Sequence, residues 1–164
     1  MQPYYKAVEI VSLLESSLLR VNKLCYLCDV EASVGGGKEH GKRRRFSVED
    51  VCHLGLAFWL FRTGLRGRVM VGVLSTSDVR AFLKRLKDPE SIRTGVRKRR
   101  FLCAWDLHNK RPRAAIRETL DQLGPTLKNN ICTLIPVGRL MERLASRLEV
   151  TDVLKVKEQE NVTV

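Results

Sequence analysis

The stretch Gly35–Val51 reads GGGKEHGKRRRFSVEDV. Gly35, Gly36, Gly37 and Gly41 work against regular helix and favour a turn. Lys38, Lys42, Arg43, Arg44 and Arg45 crowd that turn with positive charge, with Glu39 and His40 among them. On composition alone two readings fit. One is a solvated linker; the other is a hairpin, Glu31–Val34 against Arg43–Phe46, with the glycines at its tip. The residues that follow decide for the hairpin. Ser47 carries a side-chain oxygen able to cap a helix, and Asp50, three residues on, completes a capping arrangement. The acidic pair Glu49-Asp50 suits the positive end of a helix dipole. A basic strand that leads through Phe46 into a capped helix is a built unit.

Working outward, the helix opened by Ser47 runs to about Thr63, with Gly64 stopping it. Leu54, Leu56, Phe58, Trp59, Leu60 and Phe61 make it apolar around much of its circumference, so it is expected at the centre of the core. Upstream, residues 5–15 read as a helix, because Ala7, Ile10, Val11, Leu14 and Leu18 recur on one face of a 3.6-residue period. Glu15-Ser16-Ser17 breaks it, and the serines can cap a second helix, about Ser17–Leu27. Leu18, Val21, Cys25 and Cys28 mark one face of that helix, and Ser17, Arg20, Asn22, Lys23 and Tyr26 fall mostly off it. Two short helices joined by a tight break form a helix-turn-helix pattern.

Downstream, residues 66–74 form a short apolar segment read as helical. Thr76-Ser77-Asp78 opens an amphipathic helix with Val79, Phe82, Leu83 and Leu86 on one face, and Asp88-Pro89 is read as its end. Phe101–Leu107 and Asn130–Val137 suit strands, the second through its β-branched residues. Arg113–Leu123 between them reads as a helix ended by Gly124-Pro125. Gly138–Leu148 is a last helix, and residues 151–164 are polar, unpatterned and expected to fray. The expected fold is mostly α with small β elements, an α+β chain. Its expected parts are a helix-turn-helix head with a basic hairpin over residues 1–90, a small β-α-β-α module over 91–150, and a flexible tail over 151–164.

Apolar residues make up 44% of the 164, enough for a packed core. No apolar run approaches the roughly 18–20 residues that span a bilayer. Met1–Lys6 lacks the basic start and apolar run of a secretory signal, so the expected location is the cytoplasm, with no membrane partner. The net charge of +12 calls for an anionic partner, and nucleic acid is the commonest. Cys25, Cys28, Cys52, Cys103 and Cys132 are odd in number and read as reduced thiols. Cys25-Tyr-Leu-Cys28 is formally a C-x-x-C pair, but a zinc site would need His40, Cys52 or His53 to complete it. Two small buried side chains on one side of a helix are the better reading, and no metal or cofactor is expected.

The order helix, turn, helix, basic hairpin, helix resembles the MerR-like winged helix-turn-helix family. The resemblance covers about residues 5–87. Its most specific part is Gly35–Val51, where a basic glycine-tipped wing ends in an aromatic residue and a Ser-x-Glu-Asp helix start. Leu54–Leu65, ending Arg62-Thr63-Gly64-Leu65, also resembles the family's next helix and its exit. The sequence departs from the pattern in three places. Glu15-Ser16-Ser17 replaces the usual glycine-containing turn, the second helix carries only Arg20 and Lys23 as cations, and no long dimerising coiled coil is evident.

The resemblance implies a DNA-binding transcriptional regulator, expected to be a homodimer, whose partner is double-stranded DNA. It places Ser17–Leu27 in the major groove, with Ser17, Arg20, Asn22, Lys23 and Tyr26 as candidate contacts. It places the wing on flanking phosphates or the minor groove, with Lys38, His40, Lys42, Arg43, Arg44 and Arg45 as candidates. Arg66 and Arg68 suit either backbone contacts or a solvated face. The C-terminal half carries no recognisable effector motif, and Trp105 beside Asp106 and His108 reads better as a packed tryptophan than as a ligand pocket. The competing functions are a non-specific or architectural DNA binder, a recombination or phage accessory protein with the same head, and an RNA or protein interaction module. No H-E-x-x-H, G-x-S-x-G, Walker-type or dinucleotide motif occurs, so no enzyme is expected.

Overall fold

The computed structural model describes residues 4–30, 32, 44–65, 67–97, 100–108, 111–129 and 132–162. Helices dominate, and two small antiparallel sheets accompany them, which makes the chain α+β. The first elements are β1 (Tyr5–Lys6), α1 (Ala7–Leu13) and α2 (Leu18–Cys28). They are followed by β2 (Arg45–Phe46), α3 (Val48–Arg62), α4 (Gly67–Leu74), α5 (Ser77–Leu83) and α6 (Pro89–Arg97). The rest comprises β3 (Phe101–Trp105), β4 (Arg113–Arg117), a 3-10 turn Asp121–Leu123, α7 (Gly124–Asn129), β5 (Cys132–Ile135) and α8 (Val137–Val162). Among the described residues no helix is long and apolar enough to cross a membrane.

The helix start quoted at the outset is built as its residues dictate. The Asp50 amide donates to Ser47 Oγ at 3.1 Å, and the Ser47 amide donates back to Asp50 Oδ2 at 2.8 Å. Two of the amides that a helix N-terminus leaves without partners are thereby satisfied. The other end of α3 stops at Gly64, whose φ of +93° suits a residue without a Cβ. Between these ends Val51, Cys52, Leu54, Leu56, Ala57 and Leu60 are all fully buried. α2, α4, α5 and α8 pack around α3, and each buried leucine contributes about 1.5–3 kcal/mol.

The C-terminal half completes this core. Met70, Phe82, Ile92, Val96, Leu102, Met141, Leu144 and Leu148 belong to the same apolar cluster as Ile10, Val21 and Leu54. The three-stranded sheet has the order β4-β3-β5, antiparallel throughout.

Several expectations are corrected. Residues 5 and 6 are not helical: Tyr5 pairs with Phe46 and Lys6 with Arg45 in a short antiparallel ladder. The buried, fully covered Tyr5 ring drives this, since it packs inward only if the chain enters α1 from an extended segment. For the expected hairpin, residues 31, 33 and 34 on one side and 43 on the other lie outside the described residues. Of its second strand, Arg45 and Phe46 are in place, paired with β1.

Asp88-Pro89 does not end α5, which stops at Leu83, but opens α6. Asp88 caps the new helix, with the Ser91 amide donating to its carboxylate at 2.7 Å. Proline at a first helical position forfeits only an amide that has no intrahelical partner there. The helix expected at Arg113–Leu123 is a strand and a 3-10 turn. All five residues of Arg113–Arg117 pair with β3, and the Ile116 amide donates to Asp78 of α5 at 3.3 Å. These bonds outweigh a helix propensity that differs between residues by less than about 1 kcal/mol. A short helix, α7, begins at Gly124, where one was expected to stop. The module after residue 97 is therefore β-β-α-β-α, not β-α-β-α.

The last helix does not stop at Leu148 and residues 151–162 are not irregular, because α8 continues to Val162. Its later part is tied to the N-terminus. The Tyr5 hydroxyl donates to Asp152 Oδ2 at 2.9 Å, and Lys155 Nζ lies 3.3 Å from Glu9 Oε1 and 3.0 Å from the Tyr4 carbonyl.

Candidate nucleic-acid interface

The turn between α1 and α2 positions the candidate surface. Glu15 takes a left-handed conformation, φ +48°, and the Ser16 amide bonds back to the Val11 carbonyl at 3.0 Å. Ser17 then caps α2, its Oγ accepting from the Arg20 amide at 3.3 Å. Asp29 closes the helix in a left-handed conformation, φ +52°, which short polar side chains tolerate.

With both ends fixed, the helical period sorts α2 into two faces. Val21, Leu24, Cys25 and Cys28 are buried. Leu19, Asn22, Lys23 and Tyr26 are exposed and follow i, i+3, i+4, i+7, a single outward stripe. Its two apolar members are largely open to solvent: Leu19 is 81% exposed and Tyr26 is 88% exposed. They are the two most exposed of the large apolar side chains among the described residues.

The other sequence-predicted residues distribute unevenly around this stripe. Ser17 serves first as a cap. Arg20 is exposed but leans toward α3, its guanidinium carbon 6.0 Å from the centre of the Phe58 ring. Arg44 comes next to α2, lining an open hollow of about 280 Å³ together with Asn22 and Tyr26. Arg45 is exposed on β2. Lys38, His40, Lys42 and Arg43 lie outside the described residues, as does Arg66; Arg68 is exposed on α4.

Two residues escaped the sequence reading. Leu19 belongs to the outward stripe, a placement that the period of α2 already contains. Lys6 was hidden by reading residue 6 as helical. It lies directly opposite Arg45 in the β1–β2 ladder, and both side chains are exposed. Directly opposed residues share one face of a ladder, and like charges placed so repel.

Burial governs the nearby thiols. It raises the Cys25 thiol above its ordinary range, with the Arg44 charge opposing the shift. It pushes Cys28 up to about 11, with Cys25 adding to the shift. Both are therefore protonated at neutral pH, the less reactive state of a thiol. Cys52 is wholly buried in α3, and among the described residues no three His, Cys, Asp or Glu side chains assemble as a metal site. Trp105 is half-buried and packs against the small cluster of Cys103, Ala115 and Leu123, while Asp106 reaches Arg113 at 3.5 Å and His108 is exposed.

Neither protein-family models nor curated proteins give a match to this chain.

Proposed function

We propose that the protein binds double-stranded DNA as a transcriptional regulator of the MerR-like winged helix-turn-helix type. α2 enters the major groove with its outward stripe, and the basic segment 38–45 lies on the flanking phosphates. The observation that carries the reading is the composition and setting of that stripe. Asn22 and Lys23 supply hydrogen-bonding groups for base edges, Leu19 an apolar surface for a thymine methyl, and Tyr26 an exposed aromatic ring. Arg44 lines a hollow with Asn22 and Tyr26, and Lys6 and Arg45, opposed and exposed on the β1–β2 ladder, add cations for the backbone. The roles divide accordingly: the helix reads, and the flank holds.

The reading extends to a cytoplasmic, nucleoid-associated homodimer, because one short helix contacts few base pairs and two half-sites multiply its specificity. It involves no catalysis.

The test is genome-wide binding of the tagged protein, followed by selection from a random duplex pool. A defined operator sequence is expected. Asn22→Ala is expected to relax one position of it, at about 1–3 kcal/mol per lost base contact. Binding that tracks local DNA concentration with no preferred sequence would replace regulation by an architectural role. Preference for structured RNA over duplex would overturn the proposal.

A further inference from the structure

A second concave site lies where α1, α3 and α8 meet, a cleft of about 90 Å³. Its wall is apolar and aromatic, formed by Leu14, Phe58, Trp59, Met141 and Leu144, with the Cα of Gly55 among them. Gly55 keeps the helices close: a Cβ there would lie 3.3 Å from the Leu144 side chain.

Three arginines, Arg62, Arg143 and Arg147, also line the cleft. They are not equivalent. Arg147 is committed to the fold, donating to the Leu13 carbonyl at 2.7 Å and pairing with Glu15. Arg62 is held over aromatic faces, its guanidinium carbon 5.2 Å from the centre of Trp59 and 5.9 Å from that of Phe58. Stacking fixes the plane of a guanidinium and leaves its edge N–H groups free to donate. Arg143 is exposed on α8. Among the described residues no carboxylate forms an ion pair with Arg62 or Arg143. Among the described residues the only carboxylate lining the cleft, that of Glu15, is paired with Arg147.

An apolar floor with two uncompensated guanidinium groups selects a particular chemistry. A neutral apolar molecule gains nothing from the arginines. A small inorganic anion gains nothing from the floor. We propose that this cleft binds a small carboxylate with a compact apolar body, its carboxylate between Arg62 and Arg143 and its body on Trp59 and Leu144. The space suits a body of about four to six carbons, since a 150 Å³ enclosed cavity holds a benzene ring and this cleft is smaller but open on one side. The site is complete without nucleic acid, so its test is independent of the DNA-binding reading.

The test is calorimetric and NMR titration of the full chain with isovalerate and benzoate, the neutral amides isovaleramide and benzamide, and inorganic phosphate. The two acids are expected to bind saturably at roughly 0.1–1 mM. The amides and phosphate are each expected to bind at least about tenfold more weakly, reflecting the loss of one charge-assisted bond pair or of the apolar contact. Arg62→Gln and Arg143→Gln are each expected to lower acid affinity about tenfold or more, with unchanged circular dichroism. Exposed Arg139→Gln on the same helix is expected to leave acid affinity unchanged. Equal binding of acids and amides would overturn the proposal, as would phosphate binding as tightly as the acids. So would the absence of saturable binding up to about 10 mM, or full acid affinity in folded Arg62→Gln and Arg143→Gln variants.

Discussion

Replacing Ser47 by alanine removes the hydroxyl on which the start of the central helix depends. In the intact cap the Ser47 amide and hydroxyl both donate to Asp50 Oδ2, each at 2.8 Å, and the Asp50 amide donates to Ser47 Oγ at 3.1 Å. The alanine leaves the Asp50 amide without its acceptor at the edge of the core, beside the buried Phe46. Cap substitutions of this kind cost about 0.5–2 kcal/mol, and a half-buried cap on a core helix belongs in the upper part, about 1.5 kcal/mol. For a chain of 164 residues that corresponds to a fall in Tm of about 4 °C. Asp50→Ala removes the reciprocal acceptor and should cost a similar amount. Because the two residues share their bonds, the double variant should fall short of the sum by about 1 kcal/mol. Urea denaturation of the four proteins measures this, and Ser47→Thr, which keeps the hydroxyl, should recover most of the loss. Additivity within about 0.3 kcal/mol, or a Ser47→Ala variant as stable as the parent, would refute the capping account.

Further perturbations probe other parts of the molecule. Gly72→Ala places a Cβ 2.4 Å from Cγ and 2.7 Å from Cδ of the Pro112 ring; net of the helix propensity gained, a loss of about 1–2 kcal/mol is expected by thermal denaturation. A gain in stability would show that this close approach is absent. His53 is half-buried, with Nε2 shielded and, among the described residues, without a hydrogen-bond partner. Burial and Arg80 draw its pKa below the ordinary 6.5, against Asp50. The unfolded chain therefore takes up a proton near pH 6.5 while the folded chain resists it. Stability should fall as the pH drops below that value, by at most about 1.4 kcal/mol per unit. His53→Leu should flatten that part of the profile, and an unchanged slope would refute the assignment. Tyr5→Phe deletes the hydroxyl that holds Asp152 at 2.9 Å; a cost of about 1 kcal/mol is expected, with faster amide exchange in α8 beyond Val150. Unaltered exchange there would show that the helix end does not depend on this tie.

The head was more legible in the sequence than the remainder, for local reasons. Ser47 with Asp50, and Ser17 before a periodic run, are signals complete within a few residues, and the helices begin where they say. The failures are where distant residues decide. Tyr5-Lys6 is a strand because Arg45-Phe46 lies beside it, a pairing that no local pattern reveals. Arg113–Arg117 has helix-favouring alanines, yet it serves as the edge of a sheet held by Phe101–Trp105 and Asp78. Asp88-Pro89 was locally ambiguous, because proline that follows a capping aspartate starts a helix as readily as it stops one. α8 outruns its apolar stripe because Asp152 and Lys155 find partners at the N-terminus. At the candidate interface, the period of α2 identified Asn22, Lys23 and Tyr26 as outward. Arg20's lean toward Phe58 and Lys6's place beside Arg45 required the fold.

The central claim is that α2 and its cationic flank grip duplex DNA, and a salt titration of duplex affinity tests it most directly. Fluorescence anisotropy with a labelled duplex, for the parent and for Arg43→Ala/Arg44→Ala/Arg45→Ala, gives the slope of log affinity against log salt. The parent should weaken steeply, by about 0.9 in slope for each phosphate neutralised. The triple variant should bind every sequence more weakly and with a slope shallower by up to about three such contacts. Binding by the triple variant with the parent's affinity and slope would contradict the assignment of the basic flank. Absence of salt-dependent duplex binding by the parent would contradict the account as a whole.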